Sequence, residues 1–224
     1  MHGSKAASVE EALTHIRNGQ TIMLSGFTNV GSPNKFIVKM AEAGITDIDL
    51  ISNDAGNDHT DGIGTLICQH RVRRLTASHV GLNPKVAEQM NDGTLEVVLV
   101  PQGTLAERIR CGGTGLGGVL TPTGVGTIVE DSPLCLGKQT IDGKEYLLMK
   151  ALKADFALVN AHFVDKAGNM WYKGTTRNFN TVAATAADIV IAEADHVVEI
   201  GDIEPENVVT PGAYIKYIVD GGKL

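Results

Sequence analysis

Short apolar runs alternate along the first half of the chain with segments whose apolar positions fall three and four apart. That alternation predicts buried strands separated by amphipathic helices. Ser8-Val9-Glu10-Glu11 has the form of a capping box, with Leu13 and Ile16 on one helical face and Gly19 as a stop. Thr21–Leu24 reads as a buried strand. Ser32-Pro33 then reads as a helix start, with Ser32 as N-cap and Pro33 at the first helical position. Phe36, Ile37 and Met40 are spaced to face inward. Further strands are predicted at Ile48–Ile51 and near 74–77 and 96–100, and further helices near 64–70, 84–91 and 103–110. The strands are apolar throughout rather than alternating, which predicts a mostly parallel sheet covered on both faces.

The second half changes character. Asp142-Gly143 sits between stretches of polar–apolar alternation and signals a hairpin. Strands are predicted at 157–159, 170–172 and 189–192, with a turn at Gly168-Asn169. The expected fold class is therefore α/β, with a mostly parallel sheet and an antiparallel portion in the C-terminal half. No linker or low-complexity tract interrupts it, and residues 1–224 read as a single domain.

Composition narrows the function classes. Hydrophobic residues make up 43% and charged residues 20%, which describes a foldable chain rather than a disordered one. Nineteen Lys and Arg against 26 Asp and Glu give a net charge of −7, and aromatics are only 4%. A nucleic-acid partner is disfavoured on both counts, although a local cationic pocket remains open. Three widely spaced cysteines, Cys68, Cys111 and Cys135, suit a cytoplasmic setting and offer no CxxC pair. No apolar run reaches membrane-spanning length, and Met1 to Ser8 lacks the apolar core of a signal peptide.

Four stretches are candidates for chemistry. Ser25-Gly26-Phe27-Thr28-Asn29-Val30-Gly31 lies between a buried strand and a helix, where glycines and a helix N-terminus favour an anionic ligand. The same stretch also reads as a tight turn with no ligand. Asn53 and Asp54 follow a strand, placed either to touch substrate or simply to build a turn. Gln102 follows another strand and either donates an amide N–H to a carboxylate or thioester carbonyl or caps the next helix. The glycines between Cys111 and Gly118 formally match G-x-G-x-x-G, but they follow a helix rather than a strand, so a dinucleotide site is rejected. Close backbone packing or approach to a ligand are the remaining readings. His15, His59, His70, His79, His162 and His196 show no metal-ligand spacing and read as surface or turn positions. Arg71, Arg73 and Arg74 read as a solvated face or a phosphate contact, and Glu130-Asp131 as solvated. No residue announces itself as a nucleophile.

Together these runs resemble the alpha subunit of the two-subunit family I CoA-transferases. The resemblance is carried by Asn18 to Phe27, Gly31-Ser32-Pro33, Ile51 to Asp54, Val100 to Arg110, Gly112 to Gly118 and Thr121 to Thr127. Arg177-Asn178-Phe179-Asn180 and Thr210-Pro211-Gly212 complete it, in the family's order over nearly the whole chain. It implies a three-layer α/β sandwich and a ping-pong reaction. A glutamate on a partner beta subunit attacks an acyl-CoA, and a glutamyl-CoA thioester passes CoA to an acceptor carboxylate. The implied substrates are butyryl- or acetyl-CoA and acetoacetate, with coenzyme A as substrate, no permanently bound cofactor and no metal. The implied assembly is a heterodimer or heterotetramer, with the site where the subunits meet and no catalytic residue in this chain. Residues 25–31 match the family's CoA-binding glycine loop, with Ser25 where the usual pattern is glycine; Asn53, Asp54 and Gln102 match substrate-lining positions. Other CoA-transferases, a CoA thioester hydrolase subunit and a non-catalytic ligand-binding module are the alternatives.

Overall fold

The computed structural model describes residues 4–58 and 61–222. Met1 to Gly3 and His59 lie outside the described residues. In chain order the elements are α1 (Val9–Leu13), β1 (Thr21–Leu24), α2 (Asn34–Glu42), β2 (Ile48–Ile51), α3 (Gly62–Cys68), β3 (Val72–Ala77), α4 (Pro84–Asn91), β4 (Glu96–Leu99) and α5 (Gln102–Gly113). There follow β5 (Gly118–Thr121), β6 (Cys135–Ile141), β7 (Lys144–Lys150), β8 (Ala154–Asp165), β9 (Met170–Trp171), α6 (Asn180–Ala183), β10 (Ala187–Val198) and β11 (Tyr217–Asp220).

The main sheet runs β11-β10-β8-β1-β2-β3-β4, all parallel, with β9 added antiparallel to β8. Two apolar clusters flank it. Ile22 and Leu24 of β1 pack with Phe36, Ile37 and Met40 of α2 on one face. Met23, one residue out of phase, packs with Leu105 and Ile109 of α5 on the other. Successive side chains on a strand point to opposite faces, so a wholly apolar β1 feeds both clusters, and the result is three layers.

The antiparallel portion is not an extension of that sheet. β5, β7 and β6 form a separate three-stranded sheet, closed by the Asp142-Gly143 turn with φ of 51° and 76°. Both values are positive, as a type I′ hairpin requires. The glycine run before β5 packs closely at its two ends, while Gly115 and Gly117 between them stand open. A Cβ on Gly112 would sit 1.8 Å from the Leu152 carbonyl oxygen, and one on Gly113 would sit 2.1 Å from Thr185 Oγ1. Close backbone approach, one of the two readings of that run, is what the fold requires there.

One helix end and one helix start differ from expectation. α1 is capped by Ser8, whose Oγ accepts from Glu11 N at 3.0 Å, but it ends at Leu13, well before Gly19. α2 begins at Asn34 with Pro33 as its N-cap, so Ser32 is not the cap. The Ser32 hydroxyl instead donates to the Ser25 carbonyl at 3.0 Å, across the turn after β1.

Candidate functional site

Because the main sheet is parallel, the loops after β1, β2, β3 and β4 open at one end of it, the end where open α/β sheets place ligands. Those loops carry the residues singled out in the sequence, and the structure brings them together. Asn53 Oδ1 accepts from Gln102 Nε2 at 2.7 Å and from Ser78 Oγ at 3.0 Å. Asn53 Nδ2 donates to Asp54 Oδ2 at 2.8 Å, and that same carboxylate oxygen accepts from Thr28 N at 2.9 Å. Asp54 Oδ1 accepts from Gly56 N at 2.8 Å. Four loops are thus joined through one amide and one carboxylate, both almost wholly buried.

The burial assigns chemistry. Asp54 spends its oxygens on three donors and is shut away from solvent, so it orders the site rather than acting as a base. Gln102 is exposed at the first position of α5, and one hydrogen of its Nε2 is committed to Asn53. The amide nitrogen carries a second hydrogen, held in a fixed direction by the first bond. The arrangement can orient and polarise a carbonyl. Asn53, Asp54, Ser78 and Gln102 offer it no free carboxylate or thiol. Ser78, whose single hydroxyl hydrogen is shared between Asn53 Oδ1 and the Asn53 main-chain carbonyl, 2.7 Å away, escaped sequence reasoning because nothing local distinguishes it from any serine following a strand.

The turn of residues 25–31 lies beside this network. Gly26 and Gly31 have φ of 106° and 71°, where an L side chain is strained. Ser25 is not among the positive-φ residues and is fully buried, its Oγ donating to the Gly31 carbonyl at 3.2 Å. Phe27 N and Val30 N each donate to the other's carbonyl, at 3.0 and 2.9 Å. With Thr28 N held by Asp54, these amides are spent within the protein. What the turn presents outward is side chain: Phe27 and Val30 are 45% and 44% exposed and line a cleft of about 220 Å³ with Thr28, Thr175 and Asn178.

The α2 N-terminus is likewise occupied from within. Glu193, inside β10, accepts from Phe36 N at 2.7 Å and takes the capping role expected of Ser32. Burial pushes the Glu193 carboxyl up to about 7, against the opposing pull of the Phe36 and Lys35 amides and the Lys35 ammonium. A carboxylate of the chain itself thus answers the positive end of the helix. Sequence reasoning missed it, although an acid within the apolar run 189–194 was a visible signal.

Other positions resolve more simply. Arg73 and Arg74 pair with Asp49 and Glu96 on an exposed face. Glu130 accepts from Gly126 N and pairs with Lys138 at 2.9 Å, so it pins a loop rather than standing free in solvent. His162 is not a surface residue: its Nδ1 lies 3.0 Å from Asp195 Oδ2, and its ring packs among Phe163, Trp171 and His196. Among the described residues, no cluster of three or more His, Cys, Asp or Glu side chains is placed to hold a metal ion, and no helix is long and apolar enough to cross a membrane.

Comparison with known proteins adds to this geometry. The sequence profile described as Coenzyme A transferase matches residues 6–221. The chain is 49% identical over 218 residues to the acetate CoA-transferase subunit alpha of Escherichia coli K12, covering 96% of each. It is 47% identical over 216 residues to the acetoacetyl-CoA:acetate/butyrate CoA transferase alpha subunit of Clostridium acetobutylicum, covering 96% of this chain and 97% of that one. The fold superimposes with a TM-score of 0.84, at 20% identity, on the crystal structure of an acyl-CoA transferase of E. coli O157:H7 in its thioester complex with CoA. That match covers 98% of this chain and 47% of the larger one.

Proposed function

The chain belongs to the coenzyme A transferase family as an alpha subunit, and from that premise we propose that it forms one wall of a site that moves CoA between butyryl- or acetyl-CoA and acetoacetate. A partner beta subunit supplies the nucleophilic glutamate, in a heterodimer or heterotetramer. Its carboxylate attacks the thioester carbonyl and displaces the CoA thiolate, leaving an acyl–glutamyl anhydride. The thiolate then attacks the glutamyl carbonyl and releases the carboxylate product. The acceptor carboxylate reverses these steps and leaves with CoA. Coenzyme A is a substrate in this scheme, and no resident cofactor takes part.

The observation that carries the reading is an exposed Gln102 carboxamide, aimed by the buried Asn53 and Asp54. Gln102 stabilises charge on the reacting carbonyl oxygen while the buried Asn53 fixes its direction, and the turn of residues 25–31 contacts the CoA donor through Phe27 and Val30. A partner closing over the open end of the sheet excludes water, which protects the thioester intermediate from hydrolysis. The three free cysteines fit a reducing, cytoplasmic setting.

The test is CoA transfer from butyryl-CoA or acetyl-CoA, assayed with the chain alone and after co-expression with its beta subunit. Activity is expected only in the pair, and full activity of the chain alone would overturn the reading. In the pair, Gln102→Ala should lower turnover about 100-fold, the scale of losing one donor to a developing oxyanion, with assembly intact. Wild-type kinetics for that variant would remove Gln102 from the site.

A further inference from the structure

We propose that Asn180 is a positioning residue of the transfer site, its buried carboxamide fixing the turn of residues 25–31 so that Phe27 and Val30 meet the CoA donor. The inference rests on the functional reading above.

The turn is closed on itself by the paired Phe27 and Val30 bonds, so it moves as a unit unless something outside holds it. Asp54 holds it on the side of β2, through Thr28 N. On the side of β8, Ser25 N donates to the Leu158 carbonyl at 3.1 Å where the turn begins, and its far end is held by Asn180, which is fully buried at the start of α6. Its Nδ2 donates to the carbonyls of Gly31 at 2.8 Å and Thr176 at 2.7 Å. Its Oδ1 accepts from Asn160 N in β8 at 2.8 Å. Both hydrogens and the acceptor are spent on backbone groups of three separate segments, a combination that aspartate and leucine cannot reproduce.

The neighbours show how tightly the contact is set. A Cβ on Gly31 would lie 2.6 Å from the Thr176 oxygen and 3.0 Å from Asn180 Nδ2, so the turn abuts the segment that carries the amide. Asn160 donates in turn to the Glu193 carbonyl and to Asp195 Oδ1, both at 3.2 Å, which anchors the clamp to two central strands. Asn178, partly exposed, adds a second tie from Nδ2 to the Val30 carbonyl at 2.8 Å. Without Asn180 the Gly31 carbonyl loses its partner on the β8 side, and the outward faces of Phe27 and Val30 shift together. Displacements of about 1 Å are enough to cost a bound substrate its fit.

The experiment uses the co-expressed pair carrying Asn180→Leu or Asn180→Asp. The KM for the acyl-CoA donor should rise about tenfold with kcat within about threefold, the pattern of lost uniform binding. Hydrogen exchange at the Phe27 and Val30 amides should speed up in parallel. A merely structural asparagine would lower yield or melting temperature and leave the KM of the folded enzyme alone. Unchanged KM together with unchanged exchange at those two amides overturns the proposal. Should neither variant fold, Asn178→Ala removes the second tie alone and should raise KM about threefold; no change there overturns it as well. A wild-type pair without transferase activity would sink the functional reading instead, and the exchange rates would still decide whether Asn180 holds the turn.

Discussion

The turn after β1 is held from two flanks that solve the same problem differently. On the β2 flank, Asp54 collects donors from Thr28, Asn53 and Gly56, and the residues involved follow strand ends in consecutive loops. On the β8 and β10 flank, Asn160 and Glu193 sit inside strands, and Asn180 begins α6 in the connection between them. The first flank is a loop network whose outermost member, Gln102, reaches solvent. The second is sunk into the sheet and, apart from the Asn160 contact with Asp195 Oδ1, reaches only backbone. A site built this way sets one oriented amide donor at the solvent edge and keeps its scaffold buried.

Mutations can break that contrast in order of size. Asp54→Ala strands the Thr28 and Gly56 amides and should cost about 4 kcal/mol of unfolding free energy, read from urea denaturation; a loss below about 1 kcal/mol would deny Asp54 its organising role. On the other flank, the effect of Glu193 depends on pH. Its carboxyl, about 7 in the folded chain against 4.5 for the free group, binds its proton more tightly when folded. Stability should therefore be greatest below pH 4.5 as far as this group is concerned, and fall as pH rises through 7, by about 3 kcal/mol in all. Glu193→Gln should flatten that slope between pH 5 and 8 in thermal melts, and an unaltered slope would show that another group controls it.

Gly31→Ala tests the fit of the second flank, with a cost of about 2 kcal/mol from positive φ and overlap with Thr176. A melting temperature equal to that of wild type would show a looser contact. Arg74→Ala, on an exposed face outside both flanks, should change stability by no more than about 0.5 kcal/mol and serves as the baseline.

The two flanks also differ in how readable they were. Asn53, Asp54 and Gln102 stand just after apolar runs, so strand-end logic located them, and the register of a parallel sheet brought them together. The turn of residues 25–31 was located by its glycines, yet its outward surface was not, because the Thr28 amide is taken up by Asp54, remote in sequence. The Ser32 cap failed for a related reason. A helix N-terminus accepts any nearby carboxylate, and Glu193 arrives from 157 residues away from Phe36. Asn160 and Glu193 were hidden as single polar residues in runs such as 156–161 and 189–194, where composition reads only burial. The separate small sheet was half legible: Asp142-Gly143 fixed its hairpin, but nothing local said that β5 would complete it rather than join the main sheet.

The order of strands has a consequence for how the chain is made. β1 lies between β2 and β8, and Thr21 N finds its partner, Asp155 Oδ2, only 134 residues later. While the ribosome works through that interval, about 10 s at typical rates, one edge of an apolar strand has no neighbour from its own chain. The nascent N-terminal half is therefore a sheet with an open seam, and this molecule depends on whatever shields that seam until β8 emerges.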